Sequence, residues 1–498
     1  MHKPDKAPDP SVIGVALKSP SRMASIVLMA LALCLPFSTT HSRQEDIRLP
    51  DIGDPANQVL SPAEEQQLGS DILGQIRSSL NVVDDPELDT YIHSLGIRLV
   101  TAGLDSDLDF TFLYIGDPSL NAFAAPGGIV AINTGLIRAT ESESELAGVL
   151  AHEIAHVEQR HLARAYANAS QIGIATALGV LASIAAGIYN PELGGAALHS
   201  TIAASTQARL SFSRANEQEA DRIGMGLLAN AGFDPMGMPN FFERMHRHNQ
   251  FNAGPILEFL STHPVTLSRI SDTRSRAAQY PGPFIKDSKR FEYAKARVTA
   301  LTANPSSIID HYNATKRQGK PLSATDKYAY AIALSRAKKP YRAIKFLNQI
   351  KDSEPETLAI EMALAQTYLA AARPGNALEI LEKLNAIYPK QDAIVYYLAK
   401  SLIDMNRPAE ALERLEQLSL NQHKNPRFDA LRAQAAAEAM RPWLSHEAMA
   451  DYYIAYGQYG SAMEQFELAL RENEIDPIAQ ARIRSKRKEL RKLNKKHR

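Results

Sequence analysis

The pattern of apolar and polar positions divides the chain into stretches of different period. Residues 23–35 form an almost unbroken apolar run behind Lys18 and Arg22. The run is too short to cross a bilayer comfortably. The small and helix-breaking residues at 36–42 complete the layout of an export signal, with an uncleaved anchor as the alternative. Residues 43–60 read as an extended linker. Ser61-Pro62-Ala63-Glu64 then joins a capping box to a proline at the first helical position, which predicts a helix running to about Leu80. A second helix is expected from about Pro86 to Thr101. Residues 110–115 alternate and are rich in aromatic and branched side chains, and 129–132 is a short apolar run behind Gly127 and Gly128. Both predict strands. Leu146, Val149, Leu150, Ile154 and Val157 recur at helical spacing behind acidic residues at 141–145, so the segment through residue 152 is a helix.

From about residue 323 the period changes. Ala331, Ala365 and Ala399 stand 34 residues apart, as do Leu334, Tyr368 and Leu402; Pro340, Pro374 and Pro408; Ala343, Ala377 and Ala411; and Leu347, Leu381 and Leu415. Five registers agreeing over three units predict tetratricopeptide helix pairs, with small alanines where helices approach and larger residues in the stacked core. A further unit is expected at 452–466, after about half a repeat inserted between Leu420 and Ser445. Residues 290–322 supply a degenerate first pair. The fold class expected is an α+β domain, mostly helical with a small sheet, followed by an all-α solenoid. One more stretch stands out: 172–189 carries no charge and is long enough to span a membrane. Residues 170–208 are read instead as two helices rich in alanine and glycine, forming a lid, a buried hairpin or a membrane-touching element.

Composition narrows the function. Acidic and basic residues balance at 55 each in 498 residues, which argues against nucleic acid as a partner. The basic C-terminal stretch from Arg482 reads as a solvated helix end. Cys34 is the single cysteine. It lies inside the apolar run behind bulky Leu33, where a lipoprotein signal would want a small residue, so lipidation is not expected.

The candidate chemistry is His152-Glu153-Ile154-Ala155-His156, followed 61 residues later by Glu217-Gln218-Glu219-Ala220-Asp221. Histidines four apart on a helix share a face, so both imidazoles can reach one tetrahedral Zn²⁺. Glu153, about 100° round the helix, can meet the open side of the metal and take a proton from water there. A third ligand must come from elsewhere, and a carboxylate on a second helix would complete the shell of a zinc peptidase. Gln159 and Leu162 stand where a metzincin needs Gly and His, which excludes that sub-class. His161 is expected on the helix surface. Residues 121–133 hold either a plain hairpin or an edge strand beside the metal helix, able to pair with an extended substrate through Asn121, Phe123, Gly127 and Gly128.

Asn121-Ala122-Phe123-Ala124, Pro126-Gly127-Gly128, the H-E-x-x-H helix, Asn216 to Arg222 and Ser261-Thr262-His263-Pro264 come in the order seen in HtpX-like and CaaX-prenyl-protease-like zinc peptidases. The chain resembles the periplasmic branch of that family that carries a C-terminal tetratricopeptide domain. The resemblance implies a gluzincin-type fold and one Zn²⁺ held by His152, His156 and Glu217, with Glu153 as general base. Glu217 is preferred to Glu219 because the family's ligand stands four residues before the Asp of the Ala-Asp pair. Asp221 then lies on the Glu217 face and can orient a ligand imidazole, while Glu219 points elsewhere. His263 is implied to face the zinc, either stabilising the oxyanion or acting as an extra ligand that holds the enzyme off. Arg269 could pair with an acid near the site or form a surface ion pair.

The domain organisation expected is a signal peptide at 1–42, a linker at 43–60, a zinc metallopeptidase at 61–289 and a repeat domain at 290–498. The resemblance implies a periplasmic endopeptidase acting on misassembled outer-membrane proteins. Its repeats would hold the outer-membrane β-barrel assembly machinery, with possible peripheral membrane contact. The rival is a chaperone or adaptor that works through its repeats over a mostly silent zinc site.

Overall fold

The computed structural model describes residues 60–104, 108–168, 213–251, 262–354, 358–389, 391–416 and 425–496. The expected signal, the linker up to residue 59 and the uncharged stretch at 172–189 lie outside these residues. No described helix is long and apolar enough to cross a membrane.

Ser61 caps α1 (Pro62–Ser79), its side chain accepting from Glu64 N while the Glu64 side chain accepts from the Ser61 backbone. The box satisfies two amide donors that the first helical turn leaves open. Asp85 caps α2 (Pro86–Thr101) with its own side chain, which accepts from Leu88 N. β1 (Thr111–Ile115), β2 (Ala122–Ala125) and β3 (Ile129–Asn133) form one sheet in the order β1-β3-β2. β1 is parallel and β2 antiparallel to central β3. Every residue of β3 is buried, as a strand covered on both faces must be, which is why 129–132 shows no alternation. The alternation of β1 splits two cores instead. Leu113 and Ile115 pack with Ile72 and Ile76 of α1, and Phe112 and Tyr114 pack with α2 and the helices beyond.

Residues 121–133 form a hairpin, and its outer strand β2 is a sheet edge. Gly127 and Gly128 make the turn with φ of 77° and 85°, a region that glycine reaches without strain. The turn also lies hard against α1: a Cβ at Gly69 would sit 2.6 Å from Pro126 O.

α3 (Thr134–Ala139) leads into α4 (Glu143–Glu158), which carries the H-E-x-x-H motif; α5 (His161–Asn168), α6 (Arg214–Asn230), α7 (Gly237–Phe251) and α8 (Leu267–Ala277) follow. All of α4 up to Val157 is buried, so its neighbours must come close on several sides. Small residues make that possible. A Cβ at Gly224 of α6 would lie 3.0 Å from the Ala151 carbonyl and from His152 N, and one at Gly237 of α7 2.6 Å from Ser144 O.

α9 (Lys289–Thr302) gives Phe291, Ala294 and Val298 to the core around α4, and Tyr293 and Ala300 to the next one. The helices α10 (Pro305–Arg317), α11 (Ala324–Arg336), α12 (Pro340–Ser353), α13 (Leu358–Ala370), α14 (Pro374–Ile387), α15 (Asp392–Asp404), α16 (Pro408–Glu416), α17 (Pro426–Glu438), α18 (Pro442–Ala455), α19 (Tyr459–Arg471) and α20 (Pro477–Lys496) complete the described chain. Lys338, Ala372, Asn406 and Met440 take left-handed φ of 55–59°, each in the turn just before a helix that opens on Pro340, Pro374, Pro408 or Pro442. The half repeat expected between Leu420 and Ser445 contains a complete helix, α17.

The later helices fold back onto the first two. Tyr459 Oη donates to Asp71 Oδ1 at 2.7 Å, and Arg77 Nη1 donates to Ala455 O at 3.2 Å. Arg427 pairs with Asp84 and Asp89. Between α2, β1 and the repeats lies a cavity of about 540 Å³, lined among others by Phe110, Phe112, Tyr396, Arg427, Phe428 and Tyr452.

Candidate active site and metal centre

α4 and α6 pack side by side at Gly224, bringing Glu217 opposite the two histidines, and the segment before α8 supplies His263. His152 Nε2 lies 3.0 Å from His156 Nε2, 3.3 Å from His263 Nδ1 and 3.5 Å from Glu217 Oε2. Glu217 Oε1 lies 3.3 Å from His156 Nε2 and 3.1 Å from His263 Nδ1. All four residues are buried, and their donor atoms lie within 4.8 Å of one another. Ligands about 2.0–2.1 Å from a tetrahedral Zn²⁺ would stand about 3.4 Å apart. The edges of this donor ring have that length, and nitrogen and carboxylate oxygen are the atoms zinc takes, so the residues present fit a metal ion.

The charges agree. Burial disfavours an imidazolium at His152, yet Asp221 and Glu217 outweigh it and push its pKa up to about 10. At His156 burial prevails over the help of Glu217, and the neighbouring histidines add to it, holding the ring well below the usual value. Burial would raise the Glu217 carboxyl, but His263, His152 and His156 keep it well below the ordinary range. An ionised carboxylate inside a crowd of imidazoles favours one cation at the centre.

Around the ring, Asp221 and Arg269 hold His152 and Glu217. His152 Nδ1 lies 2.9 Å from Asp221 Oδ1. Arg269 grips Asp221 with two bonds of 2.7 Å and reaches Glu217 Oε2 at 2.6 Å. Arg269 is thus a buried part of the site, not a surface ion pair. Glu153 is fully buried, and among the described residues neither of its carboxylate oxygens has a hydrogen-bond partner. His263 Nε2 stands 3.5 Å from Glu153 Oε1.

One histidine lies elsewhere than expected. His161 is not on the surface: it is fully buried, 2.9 Å from His156 Nδ1 through its own Nδ1 and 3.1 Å from Glu219 Oε2 through Nε2. A continued helix would have carried it away from His156. The chain breaks instead at Arg160, whose φ is 51° and which is held by Glu65 Oε2 at 2.8 Å and Leu60 O at 2.7 Å. No glycine or proline marks that break. Of the proposed substrate strand, Asn121 is buried, Phe123 is half-buried in β2, and Gly127 and Gly128 form the hairpin turn.

Residues 86–277 match Peptidase family M48, and residues 368–435 match a tetratricopeptide repeat. The chain is 38% identical to the beta-barrel assembly-enhancing protease of Yersinia pestis, over 67% of this chain and 70% of that protein. It is 38% identical to the protein of the same name from Escherichia coli, over 62% of this chain and 63% of that protein. The match thus spans about two thirds of the length of these curated relatives. A mitochondrial metalloendopeptidase of Schizosaccharomyces pombe is 35% identical over 36% of this chain and 50% of its own length. With its buried histidine and carboxylate centre, this chain belongs to Peptidase family M48 and joins that metallopeptidase domain to tetratricopeptide repeats.

Proposed function

We propose that this chain is a zinc-dependent endopeptidase of the periplasm that degrades misassembled outer-membrane proteins and supports their assembly. The observation that carries the chemistry is the donor ring around His152, His156 and Glu217 with the buried Glu153 carboxylate beside it. Similarity to proteases named for β-barrel assembly supports the substrate class, and the signal-like run at 23–35 supports export. His152, His156 and Glu217 hold one zinc ion per chain. When bound, zinc polarises the scissile carbonyl and acidifies the attacking water. Glu153 takes the proton of that water and delivers it to the departing amine. Asp221, fixed by Arg269, orients His152. The outer edge of β2, with Asn121 and Phe123, receives an extended substrate by strand addition, and Gly127 and Gly128 shape the hairpin that presents it. The repeats hold the outer-membrane assembly machinery.

The test is Glu153→Gln in the full chain, assayed for cleavage of an unfolded outer-membrane β-barrel protein. The expected loss is about 10²–10⁴-fold at unchanged zinc content. Full activity with zinc bound would overturn the peptidase reading.

One observation favours a second reading. His263 Nδ1 completes the ring, so four protein donors would leave zinc no open position, and the chain would act as an adaptor through its repeats until His263 withdrew.

A further inference from the structure

Each histidine of the H-E-x-x-H helix turns one ring nitrogen into the donor ring and the other away from it. For His152 the outer nitrogen meets a carboxylate directly, Asp221 Oδ1 at 2.9 Å. For His156 it meets another imidazole, His161 Nδ1 at 2.9 Å. The opposite nitrogen of His161, Nε2, then lies 3.1 Å from Glu219 Oε2.

Two ring nitrogens that face each other form a hydrogen bond only when one of them carries the proton. If His156 turns the lone pair of Nε2 to a metal, its proton sits on Nδ1, and that nitrogen is the donor. His161 Nδ1 must then accept, which leaves the His161 proton on Nε2, where Glu219 accepts it. A single carboxylate therefore sets the tautomer of both rings.

We propose that His161 and Glu219 are a positioning pair for the metal ligand His156. Glu219 holds His161 in its Nε2-protonated form, and His161 holds His156 with Nε2 aimed at the ion. The inference rests on the zinc reading given above. Three acidic residues of α6 then divide the labour: Glu217 faces the ion, Asp221 orients His152, and Glu219 orients His156 through His161. The backbone serves the same end. The left-handed Arg160, anchored by Glu65 and Leu60, is what turns His161 back against His156. Glu219 itself stays partly accessible, 34% exposed and 3.7 Å from Arg164 Nη1, so its replacement leaves the core packing intact.

The experiment measures zinc affinity of the full chain by chelator competition, with thermal melting of the metal-free proteins alongside. His161→Phe keeps the bulk but removes the acceptor and is expected to weaken zinc about 10–100-fold. His161→Asn places a side-chain oxygen where Nδ1 stood and is expected to restore affinity to within about threefold of the parent. Glu219→Ala is expected to weaken zinc about tenfold without losing the site. Parent-like affinity in both His161→Phe and Glu219→Ala overturns the proposal and leaves the zinc reading standing. A loss in His161→Phe that His161→Asn does not restore marks a packing role and overturns it as well. A parent protein that binds no zinc overturns both. Should His161→Phe fail to fold, Glu219→Ala decides alone.

Discussion

His263 occupies the position on which the resting state of the enzyme turns. Its Nδ1 faces Glu217 at 3.1 Å and His152 at 3.3 Å, while its Nε2 faces Glu153, so one ring touches both the donor ring and the Glu153 carboxylate. The two roles predict opposite results for His263→Ala. As a fourth ligand that blocks the ion, its removal raises proteolysis at unchanged zinc content. As an oxyanion stabiliser, its removal lowers kcat by about 10²–10³-fold. Kinetics on zinc-loaded protein separate them, and the four-donor geometry predicts the rise. At this scale the motif residues were legible because helical spacing alone puts His152 and His156 on one face. Arg269 was legible only as one of two alternatives, and His161 was misplaced. The partners of Arg269 are distant in sequence, and His161 depends on a backbone reversal at Arg160 that no breaker residue announces.

Elements meet at the site through small residues, and two glycines of α6 are expected to respond in opposite ways to the same substitution. Gly224 lies against the backbone of Ala151 and His152, where neither side can give way, whereas among the described residues a Cβ at Gly226 would meet only Tyr280 Oη at 3.9 Å. Gly224→Ala should push α6 from α4, cost about 1–3 kcal/mol and weaken zinc by displacing Glu217. Gly226→Ala should stabilise by about 0.5–1 kcal/mol through helix propensity and leave zinc affinity unchanged. Urea unfolding of the metal-free proteins and zinc titration check both. The helix α1 was readable from its Ser61 cap, and α4 from its apolar spacing. β2 was harder. Four residues, three of them alanine, carry little alternation, and only the Pro126-Gly127-Gly128 turn betrays the hairpin.

For the whole molecule, the repeats are clamped to α2 by buried charge. Arg297 of α9 reaches Asp85 Oδ2 at 2.6 Å and Glu87 Oε1 at 2.9 Å, with Tyr328 of α11 and Gln366 of α13 on the same guanidinium. Burial outweighs Arg297 and, with Asp85 nearby, pushes the Glu87 carboxyl up to about 7. A carboxyl whose folded pKa is raised stabilises the folded state below its unfolded pKa, and that contribution is lost as pH rises through about 7. The clamp therefore weakens from pH 5 to pH 8. Glu87→Gln cannot titrate, so its Tm should gain on the parent by about 2–4 °C across that range, and a constant or shrinking difference would contradict the assignment. The 34-residue register made the repeats plain in the sequence. Their return onto α1 and α2 was not legible, because it rests on single pairs such as Arg427 with Asp89 and Tyr459 with Asp71 that carry no period.

The most direct test of the central claim is the zinc content of the purified full chain beside Glu217→Ala and Glu219→Ala at saturating zinc. One ion per chain in the parent and in Glu219→Ala, with none in Glu217→Ala, is the result predicted. Zinc retained by Glu217→Ala, or absent from the parent, would contradict it.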